Sequence, residues 1–289
     1  MSRFLPLAMI QREPRPAASA VAQFSRHARQ IKATHPRTKM IVAQELHLCG
    51  LSDSSSLDEV AQLQGMAEPM DGPRGQDLAA LARELDVWLL PGSLCERGEN
   101  GELFNTLPVY SPHGELVASY RKIFPWLPFE PYDAGNRFVV VDLPGLGRIG
   151  LAICYDLWYP EIARNLAWMG AEFIIYPTQT TTCDREQEVI MARATAIQNQ
   201  AYVLSLNVGA PTGAGRSLLV DPEGLVCTRM VDASPLVLTH VIDFDAVTRV
   251  RQLGTCGLNR MWAQMRERPD VLDLPMYGGS IDPKRTFDL

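Results

Sequence analysis

Short apolar runs alternate along the chain with longer amphipathic stretches. The runs have the length of strands, whereas the amphipathic stretches repeat their apolar side chains every three or four residues, as helices do. Strands alternating with helices are typical of a layered α/β or α+β fold. The pattern predicts strands at 4–10, 40–43, 87–90, 103–110, 116–120, 138–141, 148–153, 173–176, 202–206, 217–220, 225–228 and 236–242, and helices at 17–33, 76–85, 161–169 and 184–198.

The periodicity changes near the end of the chain. The helix predicted at 184–198 is the clearest, and Ile190, Ala194 and Ile197 form one apolar stripe along it. After about residue 250 the periodicity fades while Pro and Gly accumulate, so residues 251–289 are predicted to form a C-terminal arm. Because there is no internal repeat and no low-complexity linker, residues 1–250 are predicted to form a single domain.

Composition and charge exclude several classes of function. The content of 46% hydrophobic and 21% charged residues is that of an ordinary globular protein. Lys and Arg number 27 against 33 Asp and Glu, so the net charge of −6 offers no basic excess for a nucleic-acid backbone or an acidic membrane surface. No apolar run approaches the roughly 18 residues of a membrane span. We therefore expect neither nucleic acid nor a membrane as partner.

The spacing of the cysteines favours reduced thiols, and the spacing of the metal-ligating residue types does not favour a metal site. Six cysteines are scattered along the chain without a CxxC pair. A chain of 289 residues can bury a core without disulfides, so this pattern favours a cytoplasmic location. Glu45, His47 and Cys49 alternate and would share one face of a strand, but no second pair has the spacing of metal ligands. We expect neither a metal nor a cofactor.

Three chemically reactive residues follow predicted strands. Glu45, Lys122 and Cys154 all lie just beyond such strands, and Cys154 also precedes a helix that opens at Pro160. Ligands gather at the carboxyl ends of strands in sheets with helical crossovers. A lysine would favour the thiolate, and a glutamate could accept the thiol proton. On spacing alone, however, Cys154 could equally be a core residue, Glu45 an exposed carboxylate and Lys122 a solvated amine.

The three residues belong to longer motifs, which are Ala-Gln-Glu at 43–45, Tyr-Arg-Lys-Ile-Phe-Pro-Trp at 120–126, and Gly-Leu-Ala-Ile-Cys-Tyr-Asp at 150–156 with Tyr-Pro-Glu at 159–161. In sequence and in order these motifs resemble the carbon–nitrogen hydrolase family, also called the nitrilase superfamily, over most of residues 4–245. The resemblance implies a four-layer α-β-β-α sandwich and a catalytic triad of Glu45, Lys122 and Cys154. It also implies a homodimer or a higher even homo-oligomer, with the C-terminal arm, residues 251–289, expected at an interface between subunits.

The segment from Lys122 to Glu130 indicates which branch of the family the chain resembles. It is similar to the aliphatic amidase and formamidase branch, in which a second active-site Glu stands eight residues after the Lys. True nitrilases typically have Trp-Glu after the nucleophile, whereas this chain has Tyr155-Asp156. The resemblance therefore implies an amidase, a hydrolase of carbon–nitrogen bonds other than peptide bonds. It would convert a linear carboxamide to a carboxylic acid and ammonia through a thioester on Cys154.

The resemblance also implies roles for individual residues. Glu45 would act as base and acid, Glu130 would orient Lys122, and the Tyr155 backbone would help to bind the oxyanion. Trp126 and Trp158 are expected to wall the substrate slot, although plain packing is the ordinary alternative for both. Asp156 is expected to tie a loop.

Several alternatives remain open at the level of the sequence. Nitrile hydrolysis, N-carbamoyl-amine hydrolysis and acyl transfer could all use the same triad. A non-catalytic binding member of the family is a further alternative. Cys183, next to the helix predicted at 184–198, is either an accessory reactive thiol or a bystander. The physiological substrate, the stereoselectivity and the number of subunits do not follow from the sequence.

Overall fold

A computed structural model describes residues 2–51 and 59–281 of the chain. The strands are β1 (Phe4–Gln11), β2 (Met40–Ala43), β3 (Trp88–Leu90), β4 (Leu94–Arg97), β5 (Leu103–Tyr110), β6 (Leu116–Arg121), β7 (Val139–Leu143), β8 (Gly147–Leu151), β9 (Phe173–Thr178), β10 (Tyr202–Asn207), β11 (Leu218–Val220), β12 (Val226–Arg229), β13 (Leu236–Asp243), β14 (Leu272–Leu274) and β15 (Gly279–Ile281). The helices are α1 (Ala17–Thr34), α2 (Glu59–Met66), α3 (Pro73–Leu85), α4 (Pro160–Trp168), α5 (Arg185–Asn199), α6 (Phe244–Leu253) and α7 (Met261–Arg266).

Two large sheets form the centre of the described structure. The first has seven strands in the order β13-β1-β2-β3-β5-β4, with β6 paired to β5. The second has six strands in the order β12-β11-β10-β9-β8-β7. Strands β1, β2 and β3 run parallel to one another, as do β8, β9 and β10. The carboxyl ends of β2 and β8 are therefore ends of parallel strands, where α/β proteins commonly bind ligands.

The two sheets pack face to face, and helices cover their outer faces. Side chains such as Val42 from the first sheet and Ile175 from the second share one buried apolar cluster between the sheets. Helices α1 and α3 pack on the outer face of the first sheet, whereas α4 and α5 pack on that of the second. Strand β2 is buried along its whole length because both of its faces are covered. The predicted four-layer α-β-β-α sandwich is confirmed.

The apolar stripe on α5 does not face the sheet. Ile190 and Ile197 are 66% and 50% exposed. The buried face of the helix carries small and polar side chains instead, namely Arg185, Glu188, Ala192, Thr195, Ala196 and Asn199. The most apolar face of this helix thus lies on the surface of the chain.

The end of the chain contains more regular structure than its pattern indicates. Helix α6 was not among the predicted elements, and it begins at Asp243, whose side chain accepts a hydrogen bond from the Asp245 N–H at 3.0 Å. Within the predicted arm, α7 packs Trp262 into the molecule, where its Nε1 donates to the Asn199 carbonyl at 3.3 Å. None of the helices in the described ranges has the length and apolar content needed to cross a bilayer.

Candidate active site

The three reactive residues lie just after strands of the two facing sheets. Glu45 sits in the turn that follows β2, and Lys122 directly follows β6. Cys154 opens a short 3-10 turn, Cys154–Trp158, three residues after β8. Its φ of 46° is the left-handed conformation that side chains other than Gly rarely adopt. Strained conformations of this kind are found preferentially at functional sites.

Lys122 connects the two glutamates of the predicted site. Its Nζ donates to Glu45 Oε1 at 3.1 Å and to both oxygens of Glu130 at 2.8 Å. Lys122 and Glu45 are 0% and 1% exposed, and buried charges of this kind need partners to offset their lost hydration. Glu130 is held in turn by the backbone N–H of Trp126, which donates to its Oε2 at 2.8 Å. The structure therefore brings together Glu45, Lys122 and Glu130.

Burial and the charges of the cluster together shift the pKa of each member. Burial by itself lowers the pKa of Lys122, but the negative charges of Glu45, Cys154 and Glu130 more than offset this, and its pKa lies above the usual value. Burial raises the pKa of Glu45, while the charge of Lys122 and the nearby Cys154 thiol act in the opposite direction. Burial and the charge of Glu45 raise the pKa of Cys154 well above that of a free thiol, with Lys122 opposing. The site thus favours the ammonium form of Lys122 and the thiol form of Cys154, and it raises the affinity of Glu45 for a proton.

One oxygen of Glu45 is available for proton transfer. Its Oε1 accepts from Lys122 and from Asn105 Nδ2, the latter at 2.8 Å. Its Oε2 is buried and accepts no hydrogen bond from a nitrogen or oxygen donor of the described residues. Cys154 is partly exposed. Besides the effect of burial, the charge of Glu45 raises the pKa of the Cys154 thiol, and the thiol in turn lowers the pKa of Glu45. Glu45 is therefore placed to exchange a proton with the Cys154 thiol.

Asn105 is a member of the site that the sequence reasoning missed. It lies in the middle of β5, which is buried along its whole length. The available signal was a polar pair, Asn105-Thr106, inside an otherwise largely apolar strand. Buried polar side chains require partners, and here the partner of Asn105 is Glu45.

Asp156 joins the Cys154 turn to the segment that carries Lys122. Its Oδ2 accepts from the Tyr120 hydroxyl at 2.7 Å and from the Ile153 backbone at 2.8 Å. Its Oδ1 accepts from the Phe124 backbone at 3.0 Å. Because burial outweighs these hydrogen bonds and the charge of Lys122, the pKa of Asp156 is raised to about 6. These contacts agree with the expectation that Asp156 ties a loop.

The predicted aromatic residues gather beside the Cys154 turn. The Tyr155 ring lies 6.4 Å from that of Trp126 and 6.2 Å from that of Trp158, measured between centroids. All three rings are partly exposed. Phe129, which is 68% exposed, packs on Trp126 at 4.4 Å. The structure thus places the three predicted substrate-binding residues in one aromatic cluster next to the proposed nucleophile.

The alternating Glu45, His47 and Cys49 do not form a metal-binding group. Among the described residues, no three His, Cys, Asp or Glu side chains are grouped so that they could hold a metal ion. His47 is buried, and burial lowers its pKa to about 3, so the imidazole is neutral. Its Nδ1 lies 2.6 Å from Gln44 Nε2.

Comparison with known protein families agrees with the residues found at this site. The family model described as carbon-nitrogen hydrolase matches residues 7–252. The chain belongs to the carbon–nitrogen hydrolase family. A formamidase from Bacillus cereus (strain Q1) is 32% identical to it over 251 residues, which are 84% of this chain and 72% of that relative. The resemblance drawn from the three motifs is confirmed.

Solved structures with a similar fold include members of the nitrilase superfamily. Nit3 of Saccharomyces cerevisiae, a member of branch 10 of the nitrilase superfamily, superposes with a TM-score of 0.77 at 23% identity, over 90% of this chain and 98% of Nit3. A Glu-to-Gln mutant of an amidase from Nesterenkonia sp. AN1, in which acrylamide has added to the active site cysteine, superposes with a TM-score of 0.71 at 22% identity, over 89% of this chain and 99% of that one. The chain shares the nitrilase-superfamily fold and is a hydrolase of carbon–nitrogen bonds, with amidases among its relatives.

Proposed function

We propose that this carbon–nitrogen hydrolase converts a linear carboxamide to a carboxylic acid and ammonia through a thioester on Cys154. The observation that carries the proposal is the buried Lys122 ammonium, bound by Glu45 at 3.1 Å and Glu130 at 2.8 Å beside a thiol at the end of a strand. The formamidase relative supports a short amide as the substrate class.

The first step forms the carbon–sulfur bond. Glu45 accepts the Cys154 thiol proton as the sulfur attacks the amide carbon, and the carbonyl oxygen takes up the displaced electron pair. The Lys122 ammonium and the backbone N–H of Tyr155 stabilise this oxyanion. Removing one preorganised donor of this kind costs about 3–4 kcal/mol in other enzymes. The raised pKa of Glu45, which burial causes, makes it a better proton acceptor than an ordinary carboxylate.

The remaining steps release the two products. Glu45 returns its proton to the amide nitrogen, the carbon–nitrogen bond breaks, and ammonia leaves a thioester on Cys154. Water takes the place of ammonia and gives a proton to Glu45 as its oxygen attacks the thioester carbon. The carbon–sulfur bond then breaks, the sulfur regains its proton, and the carboxylic acid departs. One carboxylate serves in turn as base, acid and base.

Glu130 is proposed to position Lys122 and to accept a hydrogen bond from the substrate NH2. Its two oxygens accept from Lys122 Nζ, and its Oε2 also accepts from the Trp126 backbone. A carboxylate offers about four lone-pair sites, so these three contacts leave capacity for one donor from the substrate.

The surroundings of the site favour a neutral substrate. Arg121, the arginine next to Lys122, turns its guanidinium to Glu96 at 2.7 Å and so does not reach into the cluster to bind a substrate carboxylate. Trp126, Tyr155 and Trp158 are proposed to wall the slot, since aromatic side chains are the usual lining of small-ligand pockets.

An ammonia-release assay tests the substrate class. We expect release from formamide, acetamide and related short amides by the native chain, and none by Cys154→Ala. Turnover confined to matched nitriles or N-carbamoyl amines would reject an amide as the substrate, but it would still agree with the proposed catalytic triad. Absence of any turnover, together with an unreactive Cys154, would favour a binding protein.

Mass spectrometry of enzyme quenched during turnover tests the intermediate. We expect the acyl group of the substrate on Cys154. Its appearance on Cys183, which is exposed before α5, would overturn the assignment of the nucleophile. Cys183→Ser is the matched control and should keep both the adduct and the activity.

We also propose that the enzyme is a homodimer or a higher even homo-oligomer in the cytoplasm. The exposed Ile190 and Ile197 on α5 support an assembly that covers this face. All six cysteines lie in the described part of the chain and are free thiols, which agrees with a reducing compartment. Light scattering on the purified enzyme measures the number of subunits.

A further inference from the structure

Cys49 and Cys95 are neighbours in the core behind the first sheet, outside the proposed reaction path. They are 2% and 0% exposed. The Cys95 backbone N–H donates to Cys49 Sγ at 3.3 Å, and the two side chains are close enough to shift each other's pKa. Two cysteines 46 positions apart in sequence thus lie against each other in the core.

A buried arginine lies against this pair. Arg74, on α3, donates from Nη1 to Cys49 Sγ at 3.5 Å and from Nη2 to the Cys95 carbonyl at 2.6 Å. It is 7% exposed, and within the described ranges its guanidinium makes no ion pair with a carboxylate. The guanidinium also donates to the Met66 carbonyl at 3.2 Å, so the Cys49 thiol is the acidic side chain to which it donates. A buried cation of this kind favours the anionic form of an acidic group that it contacts.

The two thiols therefore differ in acidity. The hydrogen bond from Cys95 lowers the pKa of Cys49 to about 7; burial opposes this shift, and the charge of Arg74 adds to it. The same hydrogen bond and burial raise the pKa of Cys95 well above its usual value. A thiolate next to a protonated thiol is the arrangement in which one sulfur reacts with an oxidant and the other then closes a disulfide.

We propose that Cys49 and Cys95 form a redox-active dithiol that a peroxide oxidises to an intramolecular disulfide. The Cys49 thiolate attacks a peroxide oxygen, so that a sulfur–oxygen bond forms, the oxygen–oxygen bond breaks, and hydroxide leaves and is protonated to water. The Cys95 sulfur then attacks the resulting sulfenic acid, forming the sulfur–sulfur bond and releasing hydroxide, which takes the Cys95 proton. Two thiols and one hydrogen peroxide give one disulfide and two waters, and a dithiol reductant reverses the change.

A groove on the protein surface brings a small oxidant near the pair. It has a volume of about 1130 Å³ and is lined by α1 and α3. Both chain neighbours of Cys49, Leu48 and Gly50, line this groove, and so does Arg74. Hydrogen peroxide is about as large as the water molecules that fill such grooves, whereas a bulky alkylating reagent is not.

Each cysteine of the pair is connected to a residue of the proposed active site. Cys49 ends the turn that begins with Glu45, and Cys95 stands directly opposite Asn105, the partner of Glu45, in the β4–β5 ladder. Cys95 Sγ also contacts the Tyr132 hydroxyl at 3.6 Å, two residues beyond Glu130. A disulfide would tie the Glu45 turn to β4 and remove the thiol partner of Tyr132. Oxidation is therefore expected to lower amide turnover, an effect that rests on the function proposed above.

Disulfide mapping on the whole chain tests the modification without reference to activity. Reduced Cys154→Ala protein is treated with hydrogen peroxide, its remaining thiols are alkylated after unfolding, and its peptides are analysed without reduction. We expect a cross-linked peptide joining Cys49 to Cys95, and none in Cys95→Ser, where dimedone added as the protein is unfolded should trap a sulfenic acid on Cys49. Recovery of both thiols intact at peroxide concentrations that oxidise the exposed Cys183 would overturn the proposal.

Initial rates test the connection to the active site. Peroxide also oxidises Cys154, so the native chain is compared with Cys95→Ser at equal peroxide. We expect the native chain to lose up to about a hundredfold more turnover, as for a displacement of about 1 Å at a catalytic group. Dithiothreitol should restore this additional loss. Equal losses in the two proteins, despite a mapped disulfide, would reject the connection. If reduced enzyme hydrolyses no amide, the proposed function fails while disulfide mapping still decides the modification.

Discussion

The Lys122 ammonium lies 3.1 Å from Glu45 Oε1. Glu45, after β2, and Lys122, after β6, are 77 positions apart in the sequence. Both are almost fully buried, so the attraction is poorly screened by solvent. The contact fixes Oε1 and leaves Oε2 of Glu45 without a nitrogen or oxygen donor among the described residues. In the proposed mechanism, proton transfer at Glu45 therefore involves a carboxylate whose orientation is already set by Lys122 and Asn105.

Glu45→Gln tests the proton-transfer role directly. The amide oxygen can still accept from Lys122, so we expect the fold to be retained, but the side chain can no longer accept the thiol proton. Turnover should fall by about 10²–10⁴-fold, as for other lost general bases. The measurement is the rate of ammonia release, with circular dichroism as the check on folding. Activity close to that of the native enzyme would show that another group deprotonates Cys154.

The pH dependence of kcat/KM reports the same carboxylate. Glu45 must be ionised to act as a base, so kcat/KM rises as the pH rises through its pKa in the free enzyme. Burial raises that pKa, with Glu130 adding to the shift and Lys122 opposing it. We therefore expect the acidic limb at a higher pH than the value of about 4.3 for an ordinary glutamate. The pKa of Lys122 is held above its usual value by Glu45, despite burial, so loss of the ammonium should not limit activity near neutral pH.

Glu130→Gln separates positioning from proton transfer. Removing this negative charge should move the acidic limb to lower pH, because Glu130 contributes to the raised pKa of Glu45 after burial. The Lys122 Nζ also loses a charged partner that binds it through two oxygens at 2.8 Å, so kcat should fall by about tenfold or more. The exposed Glu99→Gln is the matched control and should change neither quantity. An unchanged pH profile together with a purely raised KM would assign Glu130 to substrate binding alone.

Asp156→Asn tests whether the Cys154 turn depends on its carboxylate. The amide offers one accepting oxygen in place of two, while Tyr120, Ile153 and Phe124 all donate to the native side chain. Leaving buried donors unpaired should lower the free energy of unfolding by about 2–3 kcal/mol. Urea denaturation measures the change, and Asp142→Asn, at an exposed ion pair with Arg148, is the control. Equal stability of the two variants would contradict the tying role of Asp156.

The sequence predicted most of the sandwich because its strands have simple patterns. Met40–Ala43 is an unbroken apolar run, and the structure has a strand with those bounds, covered on both faces. Glu45, Lys122 and Cys154 could be selected because each follows such a strand and lies in a recognisable motif. The resemblance to the amidase and formamidase branch selected Glu130 in the same way, because it stands eight residues after Lys122. The structure places Glu130 against Lys122.

Other features depend on contacts that no local pattern records. Asn105 is one polar residue within a strand, and its importance arises only from the approach of Glu45, 60 positions away. Helix α5 buries Arg185 and Glu188, which satisfy each other at 2.8 Å, so its buried face is not its apolar face. Helix α6 escaped prediction because its buried face combines Phe244, Val247 and Val250 with Arg251, a charged residue that the pattern marks as exposed.

The exposed face of α5 provides the test of assembly. Ile190 and Ile197 are 66% and 50% exposed in the single chain, so replacing both by Glu should leave the free energy of unfolding of an isolated chain nearly unchanged. If this face is buried between subunits, the two charges would be desolvated there, and light scattering should show a shift to smaller species. Val231→Glu, at a position 77% exposed on another part of the surface, is the matched control and should keep the native mass. A double variant with the native mass would place the interface elsewhere, because two buried unpaired carboxylates would not be tolerated within it.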